Sequence, residues 1–218
     1  VMNVKPQPPS AHLKPQTIKT GDEVRVKLVR YGHDLETDVS SLEYEFSAFR
    51  DGILFNDISF TDGGMEMIIP GGIVVKDEDW RVEVRTFDGE GLSDPCVLRF
   101  IVANSPPAVS GAPETLVMTE DEVLVVADDP HTWFFDRDGD SLVLEAETGE
   151  GVDAELSGRL LTITPWPDWN GNTTLSITAS DDRSSVTATI GVWVVAVNDE
   201  PLLYLPERLS VFQDDELF

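Results

Sequence analysis

The sequence predicts an all-β chain: two sandwiches in tandem, followed by the first strand of a third repeat. Three observations carry that expectation. Apolar and polar residues alternate with a period of two along nearly the whole chain, as half-buried strands require. Turn dipeptides punctuate those runs at roughly 8–12-residue spacing, the pattern of β-sandwiches. A proline-bearing motif recurs at Pro9, Pro107 and Pro201, a period that fits one sandwich per repeat.

The alternation begins with Val24, Val26 and Leu28, whose neighbours are charged. It continues through Leu42, Tyr44, Phe46 and Ala48, then Trp80, Val82 and Val84. In the second half Leu142, Leu144 and Ala146 form one run, and Leu175, Ile177 and Ala179 another. No window of helical spacing exceeds about two turns. Between the runs stand Asp51-Gly52, Gly63-Gly64, Gly71-Gly72, Asp88-Gly89 and Asn170-Gly171. Asp51-Gly52 predicts a tight hairpin, because a primed turn needs positive φ at its centre.

The repeat is explicit. Val102-Ala103-Asn104-Ser105-Pro106-Pro107 returns as Val197-Asn198-Asp199-Glu200-Pro201. Pro113-Glu114-Thr115-Leu116 after the first copy matches Pro206-Glu207-Arg208-Leu209 after the second, and each precedes an acidic cluster. The expected organisation is one sandwich over residues 1–105, a second over 106–200, and the start of a third repeat over 201–218. The chain opens Val1-Met2-Asn3 and stops at Glu216-Leu217-Phe218 within a hydrophobic pattern, so it reads as part of a longer protein.

Charge narrows the function. The 218 residues hold 41 Asp and Glu against 15 Lys and Arg, a net charge of −26. That argues against a nucleic-acid partner and against docking to anionic lipid. No apolar run approaches the ~18 residues that span a bilayer, so direct membrane insertion is not expected. A single cysteine, Cys96, excludes an intrachain disulfide framework and reads as inert core. Residues 1–106 carry 18 acids and 11 bases, while residues 107–218 carry 23 acids, 4 bases and no lysine. The second half therefore gathers cations or sits in a medium that screens its repulsion.

Asp136-Arg137-Asp138-Gly139-Asp140 is the most informative stretch. In extended chain the three aspartates project to one side. Unit charges about 5 Å apart repel by roughly 3 kcal/mol at an effective dielectric near 20. A hard divalent cation removes that penalty, and calcium accepts six to eight carboxylate and carbonyl oxygens. A solvated acidic turn is the plain alternative. An EF-hand loop would use Asp136, Asp138, Asp140 and Glu147, but Ser141 stands where its glycine belongs, and no flanking helices are visible.

With these residues the second half resembles the cadherin-like, Ig-like tandem repeats of large prokaryotic surface and secreted proteins. The resemblance rests on an ordered set: Phe134-Phe135-Asp136-Arg137-Asp138-Gly139-Asp140-Ser141-Leu142, then Leu161-Thr162-Ile163-Thr164-Pro165 with Trp166-Pro167-Asp168-Trp169-Asn170-Gly171, then Ile177-Thr178-Ala179-Ser180-Asp181, then Val195-Ala196-Val197-Asn198-Asp199-Glu200-Pro201. The first half is a looser relative, with Trp80-Arg81-Val82-Glu83-Val84, Asp88-Gly89-Glu90-Gly91-Leu92-Ser93 and Asn104-Ser105-Pro106-Pro107. Its Asp34-Leu35-Glu36-Thr37-Asp38 stands in place of Asp-x-Asp-Gly-Asp. The resemblance implies calcium at domain junctions. Asp136, Asp138 and Asp181, helped by Asp140, would form the top of the second sandwich. Asp34, Asp38 and Asp88 would be the weaker counterparts in the first. Asn198 and Asp199 would serve a junction with a third domain, above Glu120 or Glu122 at the base of the second. Asn104 would be the linker ligand between the first two.

The first linker carries Ser105 and Pro106 where the second carries Asp199 and Glu200. The expectation is a proline-stiffened joint between the sandwiches, little affected by calcium, and a calcium-dependent joint after Asn198. In the alternative, the aspartates atop the second sandwich capture calcium through backbone oxygens of the first linker, and both joints depend on metal.

No nucleophile elbow, phosphate loop or dinucleotide fingerprint appears, so no catalytic site is expected. Trp166 and Trp169 read as a plug over the sandwich edge, with sugar stacking as the alternative. Asn172-Thr173-Thr174 is a glycosylation sequon. The functional expectation is a calcium-binding spacer and interaction region of an extracellular or cell-surface protein, used in adhesion or envelope assembly. Its partners would be neighbouring repeats of the same chain, other copies of the protein, or cell-surface ligands. Two other readings stand beside it: an accessory, sugar-binding region of a secreted enzyme, and a subunit of an envelope layer or filament.

Overall fold

The computed structural model describes residues 4–34, 37–38 and 41–201. The third-repeat strand expected over 201–218 therefore lies, except for Pro201, outside the described residues.

The first sandwich contains β1 (Ser10–Lys14), β2 (Val24–Arg30), β3 (Glu43–Arg50), β4 (Ile53–Phe55), β5 (Ser59–Thr61), β6 (Glu66–Ile69), β7 (Asp79–Phe87) and β8 (Cys96–Ile101). One sheet has the order β1-β2-β6-β5 and the other β4-β3-β7-β8. Period-two alternation decides which residues face inward. Val24, Val26 and Leu28 are buried from β2, and Trp80, Val82 and Val84 from β7. Trp80 is fully buried, stacked on Phe100 at 6.0 Å and edge-on to Phe55 at 5.0 Å. The Asp51-Gly52 hairpin forms as expected: Arg50 pairs with Ile53, and the two turn residues have φ of 48° and 81°.

The second sandwich contains β9 (Ala108–Val109), β10 (Thr115–Thr119), β11 (Leu124–Val126), β12 (Phe134–Phe135), β13 (Val143–Thr148), β14 (Val152–Ser157), β15 (Leu160–Pro165), β16 (Gly171–Ser180) and β17 (Ser185–Val195). Its main sheet runs β10-β17-β16-β13, faced by β11-β15-β14, with a small β9–β12 ribbon at one end. Leu161, Ile163, Leu175, Ile177 and Ile190 are fully buried between the sheets. Glu147 lies on β13 opposite Ser176, which removes the EF-hand alternative. The all-β expectation holds, and no α-helix occurs among the described residues.

Both sandwiches begin with the same device. The segment before the entry turn pairs parallel with the chain near the end of the sandwich: Thr115 to Thr119 along β17 in the second, and a single isolated Lys19–Ala103 bridge in the first. A tight turn then enters the next strand through a residue with positive φ, Gly21 (75°) in the first and Asp121 (69°) in the second. Thr20 and Glu120 precede these residues and so occupy equivalent points at the bases of the two sandwiches.

Candidate metal site at the junction

Two loops at one end of the second sandwich converge because of strand register. β13 and β16 pair antiparallel with Val143 opposite Ser180. The segment before Val143 and the turn after Ser180 must therefore lie side by side. The first holds Asp136, Asp138 and Asp140; the second begins with Asp181. One carboxylate oxygen from each of Asp136, Asp140 and Asp181 lies within 4.8 Å of those of the other two. Two oxygens bound to one calcium at about 2.4 Å can stand at most about 4.8 Å apart, so the spacing suits a shared ion.

Backbone donors shape the first loop. Asp136 Oδ1 accepts from the amides of Asp138 (2.8 Å) and Asp140 (3.3 Å). Gly139, at φ 78°, lets the chain turn back far enough for the second bond. Asp181 is held in the same way, accepting from the amides of Arg183 (2.9 Å) and Ser184 (2.6 Å).

The linker between the sandwiches completes the site. Asn104 Nδ2 donates to Asp181 Oδ2 at 2.9 Å and to Ser184 Oγ at 3.1 Å. The Ser105 amide donates to Asp138 Oδ2 at 2.6 Å. Burial alone would raise the pKa of Asp181, but the bonds from Asn104, Arg183 and Ser184 overcome it and hold the carboxyl well below the usual range. Asp138 is likewise held low: bonds from Thr20 and Ser105 outweigh the effect of burial.

Three acceptor oxygens here are buried without a hydrogen-bond partner: Asp136 Oδ2, Asp138 Oδ1 and Asn104 Oδ1. Asp136 as a whole is 8% exposed. Each such orphan costs on the order of 1–3 kcal/mol. Neighbouring acceptor-only groups cannot relieve one another, whereas a cation relieves all of them. The residues thus fit a hard divalent ion.

The first sandwich supplies the rim. Lys76 Nζ bonds to Asp140 Oδ2. Arg183 grips Asp77 with two bonds of 2.8 and 2.9 Å, and Arg137 Nη1 meets Asp22 Oδ1 at 3.1 Å. Gly21 makes room for Arg137, whose guanidinium would lie 3.0 Å from any added Cβ. Sequence reasoning missed Lys76, Thr20, Asp22, Asp77 and both arginines, because these contacts join residues far apart in the chain.

The other expected ligands are placed elsewhere. Asp34 is buried with neither oxygen partnered, yet no second group of three ligand side chains forms among the described residues. Glu36, in the same expected motif, lies outside the described residues. Asp38 is exposed, and Asp88 caps its own turn, accepting from the amides of Glu90 (2.8 Å) and Gly91 (2.7 Å). At the base of the second sandwich Glu120 is buried and already engaged, accepting from the Val197 amide (2.6 Å) and Asn170 Nδ2 (3.0 Å). Glu122 accepts from Thr119 Oγ1. Asn198 and Asp199 are exposed. Partial desolvation, then Asp199, Glu120 and Asp168, raise the Asp121 carboxyl above its usual range, so negative charge does gather at this end.

Trp169 packs against the core with its indole where a Gly151 side chain would stand, while Trp166 is exposed and donates from Nε1 to Asp153 Oδ2 at 3.2 Å. Asn172 is exposed on β16 opposite Trp193.

Residues 104–193 match the family model of a bacterial Ig domain. The second sandwich is Ig-like. The match covers less than half of the chain and begins at Asn104, the linker residue that reaches into the acidic site. The resemblance to Ig-like repeats read from the sequence therefore stands for this sandwich. No curated protein is significantly similar to the chain. Among solved structures, the titin domains Z1Z2 in complex with telethonin align at 15% identity and TM-score 0.42, over 90% of this chain and 97% of that one. Sidekick-1 immunoglobulin domains 1–4 align at 13% identity and TM-score 0.42, over 89% and 48%. An endo-fucoidan hydrolase from glycoside hydrolase family 107 aligns at 16% identity and TM-score 0.36, over 89% and 28%. Overlaps this loose carry no argument about the chain's role.

Proposed function

We propose that this chain is a non-catalytic spacer and interaction region whose first joint binds calcium, and that it extends an extracellular or cell-surface protein for adhesion or envelope assembly. One observation carries the reading: buried acceptor oxygens without partners, from both the second sandwich and the linker, gather around a group of three carboxylates where the two sandwiches meet. Asp136, Asp138, Asp140 and Asp181 would hold the ion, with Asn104 Oδ1 from the linker. The ion would neutralise the carboxylates and tie two loops to the linker. The Ig-like second sandwich supports the spacer role, since such modules present loops and joints rather than active-site clefts. No helix among the described residues is long and apolar enough to cross a membrane.

Calorimetric titration of the chain with calcium at fixed ionic strength tests the proposal, paired with melting in calcium and in chelator. Binding with an upward shift is expected: a ligand of the folded state adds about 2.7 kcal/mol at a hundred times its Kd. Absence of both heat and shift would overturn it. Magnesium should bind more weakly, because its octahedral shell accommodates crowded carboxylates poorly.

A further inference from the structure

The two sandwich bases are built alike but carry different side chains at the equivalent point. In the second, Glu120 is met by Asn170, which donates from Nδ2 at 3.0 Å. In the first, Thr20 replaces the glutamate and is met by Lys76, which donates from its backbone amide to Thr20 Oγ1 at 2.9 Å. That bond fixes the Lys76 backbone at the rim, and its side chain crosses the junction to Asp140. Lys76 is only 16% exposed and Asp140 25%, so the pair is sheltered by the two domains together. Asp140 is one of the three carboxylates whose oxygens suit a shared ion. No lysine occurs in residues 107–218, so the second base has no such group of its own.

We propose that Lys76 is a tethered competitor of the junction cation. Its ammonium takes Asp140 when no divalent ion is bound and must release that carboxylate when one is. This rests on the calcium reading above. A monovalent charge on a fixed stem neutralises one carboxylate. It leaves the orphaned oxygens of Asp136, Asp138 and Asn104 without partners, so it holds the joint together without filling the site. Calcium has to displace it and then tolerate it nearby, which lowers affinity. The lysine thus gives the joint a metal-independent closed state and moves its calcium response to higher concentration.

The test compares the whole chain with Lys76→Gln and Lys76→Arg. Lys76→Gln should tighten calcium binding on the order of tenfold, since one opposing charge and one ion pair to be broken are removed. The same variant should melt below wild type in chelator and lose that deficit in saturating calcium. This reversal cannot come from simple damage to a sandwich, which lowers both melts alike. Lys76→Arg keeps the charge and should stay near wild-type affinity. Equal calcium affinity in wild type and Lys76→Gln, or an equal deficit in both melts, overturns the competitor while leaving the calcium site standing. Absence of binding in wild type and both variants overturns the calcium reading itself, and the competitor with it.

Discussion

Asn104 donates a hydrogen bond to Asp181 at 2.9 Å, tying the interdomain linker to the β16–β17 turn of the second sandwich. Asp181 is 4% exposed, so each of its bonds is made away from bulk water. Asn104→Ala should destabilise the second sandwich by about 1.5–3 kcal/mol, the range for a bond to a charged acceptor. The bonds from Ser184 and the Arg183 amide keep the loss from being larger. Chemical denaturation in chelator, which isolates the bond from any metal, measures it. A value within error of zero would mean that the linker is not held by this contact.

The same carboxylates predict an acid-sensitive joint. Asp181 and Asp138 titrate below the ordinary aspartate value of about 3.9. As pH falls, the unfolded chain takes up these protons first. The stability they contribute is therefore complete above about pH 4 and is lost as pH drops toward the folded-state values. Melting temperature in chelator should fall steeply below about pH 4. In Asn104→Ala the fall should begin at the same pH but be smaller and level off sooner, because the folded-state value of Asp181 moves back toward the unfolded one when one of the bonds holding it ionised is gone. Asp121, shifted upward, contributes with the opposite sign; it is common to both chains and cancels in their difference.

Asp138→Asn separates ligand from scaffold. An asparagine Oδ1 can still accept the Ser105 amide bond, so the metal-free chain should keep its fold. It should lose a little stability in chelator, since the bonds from Thr20 and Ser105 then end on a neutral oxygen instead of a charged one. Calcium affinity should drop, because a neutral oxygen replaces a charged one. Titration and melting on the same sample check both halves, and a variant that binds calcium as wild type does would remove Asp138 from the ligand set.

The sandwiches were legible because half-buried strands print their period in the chain. The alternation at Val24–Leu28 and Leu175–Ala179 became β2 and β16 directly, and Asp51-Gly52 became a two-residue turn. Asp136, Asp138 and Asp140 were legible from their spacing, and Asp181 from the resemblance to the repeat family; the β13–β16 register is what brings them together. What the sequence did not carry was the side of the joint facing them. Lys76, Asp77 and Asp22 belong to ordinary surface loops, and they matter only because the linker brings one base against the other sandwich's top. A comparison of the two entry turns would have exposed Thr20 in the place of Glu120. Glu120, expected with Glu122 as alternative ligands of the second junction, accepts the Val197 amide of the exit linker.

The final prediction concerns the shape of the joint. The sequence set the first linker apart as proline-stiffened and little affected by calcium. The structure brings the acidic loops against it, as the alternative reading required, and also gives it three ion pairs that cross the junction: Lys76–Asp140, Arg183–Asp77 and Arg137–Asp22. Arg183, Asp77 and Arg137 are about half exposed, so those two pairs are weak singly and sensitive to salt. Chelation at about 0.1 M ionic strength should leave the maximum dimension in small-angle scattering unchanged, because Lys76 and the two arginines still bridge the domains. Raising salt to about 1 M in chelator cuts the screening length to about 3 Å and should broaden the distance distribution. Calcium added at the same high salt should restore it, because inner-sphere carboxylate bonds are screened far less than surface pairs. A joint that loosens on chelation at low salt would show that the ion pairs do not hold it. A joint indifferent to salt in chelator would show that the exposed arginine pairs do not hold it.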